Sequence, residues 1–316
     1  MLSVRRLAGD LVVLAGGSIA AATVLGLLGS AWWPFDLAAN FRVQYLVVLP
    51  VLAAGAVLFG RRAAAAVMMG AAVINLSLVA PYLWGRPHSA PAAGDPVEVV
   101  SFNVGISNSE RGRVMQWLAA EDPDLVFLFE SSFEWEDAAR FAGLPYRMVA
   151  VVPPGRLSGV TILVRDELSP VLLEIPFDVR EAAAVRIEAD GSPLTVLGVH
   201  PLSPTTGARS AGRNEVLRQA GEWIATVEEP LLLVGDLNAT PWSSAHRALR
   251  REGRLFDSLA GRGLQPTWPD GWGPLMIPID HALHSGGVVV LERRTGPATG
   301  SAHRPLIVTV AAAEAS

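Results

Sequence analysis

The stretch Leu231–Asn238 reads Leu-Leu-Leu-Val-Gly-Asp-Leu-Asn, an apolar run of strand length that empties into Asp236 and Asn238. A carboxylate and an amide delivered together at the end of a buried strand form the kind of place where metal and phosphate chemistry is mounted. Four more polar groups hold comparable positions. Asn103 ends Val99–Asn103, Glu130 follows Leu125–Phe129, His200 follows Leu194–Val199, and Asp280 pairs with His303 near the C-terminus. One polar strand end carries little information. Five in one region point to an active site.

The order Phe-Asn103, Glu130, His200-Pro, Gly-Asp236-Leu-Asn238, Ile-Asp280-His and Gly-Ser-Ala-His303-Arg-Pro resembles the endonuclease/exonuclease/phosphatase superfamily. This is the metal-dependent phosphoesterase fold of DNase I, abasic-site endonucleases, inositol polyphosphate 5-phosphatases and sphingomyelinases. The resemblance spans Val97 to Val310 and implies an α+β domain, a four-layer α/β/β/α sandwich with its active site at one end. A phosphoester is an anion, so its hydrolysis calls for a divalent cation on a non-bridging oxygen, an activated water and help for the leaving oxygen. Hard oxygen ligands suit Mg²⁺, with Mn²⁺ as its substitute.

By resemblance Glu130 is the principal metal ligand, with Asn103 beside it orienting the carboxylate or a metal-bound water. Asp236 would align or deprotonate the attacking water, and Asn238 would hold a phosphate oxygen. Strand alternation would point both into one pocket; the competing reading is an Asp-x-Asn turn capping the helix that follows. His200 would stabilise charge on phosphoryl oxygens. Asp280 would fix the tautomer of His303 and raise its basicity. His88, His246, His281 and His284 read as non-catalytic. Arg209 and Arg213, four residues apart, read as a solvated helix face, and a second anionic group is the rival assignment. Trp242, Trp268 and Trp272 divide between cleft lining, lipid contact and plain packing. One departure stands out: Ala302 occupies the place where the family has an aspartate between Ser301 and His303. That carboxylate belongs near the metal, so restoring it is expected to raise activity and lower the Mg²⁺ requirement.

What must position these groups is only part of the chain. With 51% hydrophobic and 17% charged residues and a mean hydropathy of +0.36, the chain is too apolar for an ordinary soluble domain. Three N-terminal segments, Leu11–Gly29, Val43–Gly60 and Ala63–Trp84, each approach the ~20 apolar residues that cross a bilayer. Gln44, Asn75 and Ser77 within them would hydrogen-bond between helices. Arg5, Arg6, Arg61 and Arg62 stand against Arg42 and Arg86 on the other side, which predicts a cytoplasmic N-terminus and an extracytoplasmic domain after Trp84. Trp32, Trp33, Tyr45, Tyr82 and Trp84 would form an aromatic belt at the outer interface. A cleavable signal peptide ending near Gly29–Ala31 is the alternative for the first segment.

Residues 85–96, rich in Pro and Gly, read as a linker reaching at most ~40 Å. The catalytic domain is expected over 97–311, and 312–316 as a tail. Strands are expected at Val97–Asn103, Leu125–Phe129, Gly159–Val164, Ala182–Ile187, Leu194–Val199, Leu231–Val234, Ile277–Leu283 and Leu306–Val310, and helices at Arg111–Ala120, Arg209–Val227 and Ser243–Arg251. Asn108 or Ser109 would cap the first helix and Ser243 the third.

There is no cysteine, which excludes disulfides and thiolate metal sites, and no lysine. A net charge of −5 gives no basic footprint for nucleic acid, so DNA or RNA is the less favoured substrate. The expected function is a membrane-anchored, Mg²⁺-dependent phosphoesterase outside the cytoplasm, acting on a membrane lipid or a lipid-linked phosphate or pyrophosphate. The three-span layout also resembles a branch associated with glycopeptide (teicoplanin) resistance. The alternatives are an extracytoplasmic nuclease and an impaired phosphate-binding pseudoenzyme, the latter resting on Ala302 alone.

Overall fold

The computed structural model describes residues 2–150, 157–177, 182–189 and 191–314. Its N-terminal part is helical: α1 (Leu2–Leu25), α2 (Trp33–Ala39), α3 (Arg42–Leu58) and α4 (Arg62–Trp84). The segments Val4–Leu28 and Arg62–Trp84 are each long and apolar enough to cross a membrane. The α2–α3 pair reaches that length only when taken together across a 70° bend. So α3 alone is shorter than the expected second span, and Arg5 and Arg6 sit inside α1 rather than ahead of it.

The polar residues of this bundle behave differently from expectation. Arg42 is not an outward-facing charge. It is buried, and its Nη1 donates to Thr23 O at 3.3 Å and Asn75 Oδ1 at 3.0 Å. Asn75 does bond between helices, donating to Thr23 Oγ1 at 2.9 Å. Ser77 satisfies only its own helix, on Ile74 O. Gln44 leaves the bundle altogether and donates to Pro274 O and Met276 O of the following domain.

That domain holds β1 (Ala92–Asn103), α5 (Arg111–Glu121), β2 (Leu125–Ser131), α6 (Phe133–Phe141), β3 (Arg147–Ala150), β4 (Gly159–Val164), β5 (Val171–Leu173), β6 (Ala182–Ala189), β7 (Ser192–Val199), α7 (Gly207–Ile224), β8 (Leu231–Asp236), α8 (Ser244–Glu252), β9 (Phe256–Asp257), β10 (Asp280–His284), β11 (Val288–Thr295) and β12 (Leu306–Ala313). Two six-stranded sheets form, ordered β11-β12-β1-β2-β4-β3 and β5-β6-β7-β8-β10-β9. In each, one central pair is parallel, β1 with β2 and β7 with β8, and the rest are antiparallel.

The inward faces interdigitate through Val99, Phe127, Phe129, Ile162, Val185, Val196, Leu232, Val234 and Val308. Outside, α5 and α6 cover the first sheet through Val114, Leu118 and Trp135, and α7 and α8 cover the second through Leu217, Ile224 and Leu249. This is the four-layer sandwich, with the central strands β2, β4, β7, β8 and β10 buried on both faces along most of their length. Gly198 makes the close approach of the sheets, since a Cβ there would lie 2.3 Å from the Phe127 ring.

Element bounds differ at the edges. The last residues of the expected linker are strand, because Ala92 and Ala93 pair with Ala313 and Ala312. That same pairing orders Ala312 and Ala313 of the expected tail, whose last two residues lie outside the described ones. Ser243 caps α8 by accepting from Ala245 N. Asn108 and Ser109 do not cap α5, whose first turn follows Glu110; Asn108 Oδ1 instead accepts Glu110 N.

Candidate active site

The ends of β1, β2, β7, β8 and β10 converge at one edge of the sandwich. There a cleft of about 570 Å³ is lined by Glu130, His200, Asp236, Asn238, Trp268 and His303 among others. Its size suits a small-molecule group or headgroup.

Glu130 lies where the register of β2 against β4 shifts, with φ at +52°. A bulge of this kind re-aims a side chain at the cost of a sparsely populated backbone conformation, a feature that gathers at functional sites. Its carboxylate accepts from Asn103 Nδ2 at 3.1 Å and Ile106 N at 3.3 Å, with His200 Nε2 at 3.4 Å. The hydrogen bond from His200 outweighs burial and, with Asn103, draws the Glu130 pKa down to about 2, so the group is ionised.

Asn103 is buried and reaches a second carboxylate, Asp236 Oδ2, at 3.1 Å. Its own Oδ1 accepts Gly105 N. It therefore ties the two sheets' carboxylates together with its NH₂, an orienting role rather than a ligating one in this geometry.

Asp236 and Asp280 are direct antiparallel partners across β8 and β10. Gly235 permits this: at φ +150° it lies against β7, where a Cβ would stand 2.0 Å from Val199 O. Burial raises the Asp236 pKa, against the opposing pull of His303 and His200. For Asp280 the same burial is outweighed by the charge and hydrogen bond of His303, and its pKa is lowered. His303 Nδ1 lies 3.0 Å from Asp280 Oδ2, and its Nε2 is 3.6 Å from Asp236 Oδ2. Burial disfavours the imidazolium, but the two carboxylates overcome it and lift the His303 pKa to about 9. His200 Nδ1 meets Asp236 O at 3.0 Å.

Asn238 also faces the cleft, but not by strand alternation. The strand ends at Asp236, and Asn238 sits at φ +50° in a turn whose N–H donates to Asp236 Oδ1 at 2.9 Å. Its Nδ2 donates to Pro201 O. The turn reading and the pocket reading thus hold together, and Asn tolerates this left-handed conformation.

All seven sequence-derived residues therefore meet in one place. Ser301 stands in the last sequence motif without an assigned role, and its Oγ donates to Asn103 O at 2.7 Å and accepts His303 N at 3.0 Å, which joins two of the motifs. Ala302 is exposed, and its carbonyl accepts Asp270 N. Trp268 lines the cleft, with its ring 6.4 Å from that of His303, while Trp272 is exposed and Trp242 is packed on Tyr82. Arg209 stands at the cleft rim.

Arg213 is the clearest correction. It is fully buried, not solvated. Its Nη2 donates to Asp36 Oδ2 of α2 at 2.7 Å, and its Nη1 to the backbone carbonyl of Asn238 at 2.9 Å. Asp36 also accepts from Ser243 Oγ and from Ser244 N and Oγ, and Asn40 accepts from Thr240 N and Oγ1. Gly261 N and Gly263 N bond Pro81 O and Tyr82 O at the end of α4. The helical part thus grips the loop directly after Asn238. Tyr82, expected in an interfacial belt, is spent on this junction.

A family model for the endonuclease/exonuclease/phosphatase family matches residues 100–303. The chain belongs to that family. The family's divalent-metal dependence fits the residues present, because ionised Glu130 and buried Asp236 offer hard oxygens to the same cleft from the two sheets. A bound divalent ion would supply charge neutralisation on the phosphoryl oxygens. Glu130 would hold it and Asn103 would orient Glu130. Asp236 and the His303–Asp280 pair would position water and move its proton.

Among solved structures, a functionally unknown conserved protein from Enterococcus faecalis V583 is similar at 19% identity and TM-score 0.56, covering 68% of this chain and 99% of that one. An endonuclease/exonuclease/phosphatase from Bacteroides vulgatus is similar at 17% and 0.55, covering 69% and 99%. D. rerio TDP2 complexed with single strand DNA product is similar at 17% and 0.55, covering 68% and 99%. No curated protein sequence matches the chain significantly.

Proposed function

We propose that this family member is a membrane-anchored, divalent-metal-dependent phosphoesterase that acts outside the cytoplasm on a lipid-linked phosphate or pyrophosphate. Mg²⁺ is the metal that the oxygen-rich donor set favours. The observation that carries the reading is the buried Asp36–Arg213 pair and the bonds around it. A catalytic domain meant to sample soluble substrates gains nothing from rigid attachment to apolar helices. One that works on lipid headgroups gains orientation.

The arginines support the proposed sidedness. Arg5 donates to Leu58 O and Arg61 pairs with Asp10, so these basic residues cluster at the helix ends opposite those that meet the domain. Basic ends stay cytoplasmic. The branch associated with teicoplanin resistance, which the three-span layout resembles, is consistent with a cell-envelope lipid.

The rival reading is a nuclease, because TDP2 of D. rerio was solved with single strand DNA product. A net charge of −5 without lysine speaks against it here. The full chain in lipid vesicles should release phosphate from a polyprenyl pyrophosphate or a phospholipid monoester in Mg²⁺ and leave single-stranded DNA intact. Cleavage of DNA with no turnover of any lipid phosphate would replace this reading with the nuclease.

A further inference from the structure

His246 of α8, Asp257 of β9 and His281 of β10 present side-chain ligand atoms within 4.8 Å of one another, and all three residues are buried. The cluster lies on the face of β10 turned away from the catalytic cleft, beneath the loop that the helical anchor grips.

Several of its polar atoms lack regular hydrogen-bond partners. His281 Nε2 meets Ala239 O at 2.7 Å, which makes Nε2 the protonated nitrogen and leaves the Nδ1 lone pair bare. Asp257 Oδ1 accepts Leu259 N, while Oδ2 has no partner. His246 approaches the Pro241 backbone, but neither ring nitrogen makes a hydrogen bond of regular geometry, and its Nε2 stands 3.7 Å from Asp257 Oδ2, too far for a hydrogen bond. Buried polar atoms without partners are costly, and such atoms on three clustered residues call for something between them.

From these contacts we infer a second cation site, distinct from the catalytic one, in which His246, Asp257 and His281 hold a Zn²⁺ ion with water as the fourth ligand. Two imidazoles and one carboxylate form a set that selects zinc over magnesium. Ligand atoms at ~2.0–2.1 Å from a tetrahedral ion stand about 3.3 Å apart, so atoms within 4.8 Å of one another would close by at most about 1.5 Å on binding. The His281-to-carbonyl bond is the outer contact that metal-bound histidines usually make.

Burial, with the neighbouring His281, holds the His246 pKa well below its ordinary value, and burial lowers that of His281 too. Both imidazoles are therefore neutral, as ligands must be. Two nearby cations spend donors elsewhere. Arg293 spends its donors on Ser258 Oγ, Gln265 Oε1 and Asp280 O, and Arg250 Nε donates to Leu255 O. The ion would staple α8 and the Ala239 loop to the sheet, and so brace the segment that carries Asn238 at one end and the anchor contacts at the other.

The test uses the full chain in detergent carrying Glu130→Gln and Asp236→Asn, which disarm the catalytic cleft. After loading with Zn²⁺ and gel filtration into Mg²⁺ buffer, elemental analysis should find about one zinc per chain. Co²⁺ in its place should give the visible bands of a four-coordinate ion. Adding His246→Gln should abolish both, and a strong zinc chelator should lower the Tm of the parent but not of that variant. Should His246→Gln fail to fold, Asp257→Asn and the parent's Co²⁺ spectrum decide. Zinc below about a tenth of an equivalent in the parent would overturn the proposal. So would retention in folded His246→Gln or Asp257→Asn chains, or a purely six-coordinate Co²⁺ spectrum.

Discussion

Asp280 and His281 are neighbours in β10, and strand alternation sends them to opposite faces of one sheet. On the first face Asp280 meets His303 and Asp236 at the wall of an open cleft, with Asn103 tying that wall to Glu130. On the second, His281 meets His246 and Asp257 in a closed interior, with bare nitrogen and oxygen atoms turned inward. The residue types are nearly the same. Both trios are buried, and the balance of charge separates their fates: Asp280 and Asp236 outweigh burial and lift the His303 pKa to about 9, whereas burial prevails at His246 and His281 and lowers theirs. A His–Asp cluster at an opening can exchange protons with substrate and water. One that is sealed can only hold something in place.

The sharpest way to break this contrast is a pair of matched substitutions. His303→Gln should cut kcat by on the order of 10²–10⁴-fold, as for loss of a proton-transfer group, and should also lower the Tm near neutral pH, where its pair with buried Asp280 contributes stability. His246→Gln should lower the Tm while leaving kcat within a few-fold. Steady-state rates and thermal melts on both variants decide. A silent His303→Gln, or an inactive but stable His246→Gln, would erase the distinction.

A second test concerns the buried charge pair. Arg213→Met leaves Asp36 uncompensated inside the anchor junction and should destabilise it by about 3–5 kcal/mol, as breaking a buried pair does. Limited proteolysis of the Ala239–Ser244 loop would report it. The double change Asp36→Leu with Arg213→Met should recover much of the loss, because both charges then disappear.

pH offers a third probe. His303 has its folded pKa raised above the ordinary imidazole value, so the stability it contributes is complete below about pH 6.5 and fades as pH rises through about 9. Metal-free protein should show a falling Tm across that window. Asp280→Asn should flatten the slope, and an unchanged slope would show that the dyad is not the source.

The smallest effect is expected at Ala302. Its side chain is exposed rather than part of the cleft lining, so Ala302→Asp should change kcat and the Mg²⁺ midpoint in the expected direction by no more than about 10-fold, the scale of an exposed charge acting through solvent. A larger gain in a metal titration would mean that the added carboxylate reaches the ion.

Much of the catalytic cleft was legible from sequence because each member ends an apolar run, a local signal. Leu125–Phe129 before Glu130 and Leu231–Val234 before Asp236 can be read without knowing what they pair with. The anchor junction gave no such signal. Asp36 lies in a seven-residue helix, and its partner Arg213 is 177 positions away, so only the folded chain brings them together. His246 was hidden likewise by an ordinary reading on a helix, and Asp257 carried no local signal at all. Strand β11 was missed because Glu292, Arg293 and Arg294 mask the apolar run before them. Arg293 is nonetheless buried, with its donors satisfied by Ser258 and Gln265.

The account turns on Glu130 as the carboxylate that holds the catalytic ion. The direct measurement is initial phosphate release by the full chain in vesicles of polyprenyl pyrophosphate, titrated with Mg²⁺, for the parent and for Glu130→Gln. The parent should saturate, and the variant should lose on the order of 10³-fold or more at every Mg²⁺ concentration. Near-parental turnover by Glu130→Gln at saturating Mg²⁺ would contradict the assignment of the cleft as the metal-dependent centre.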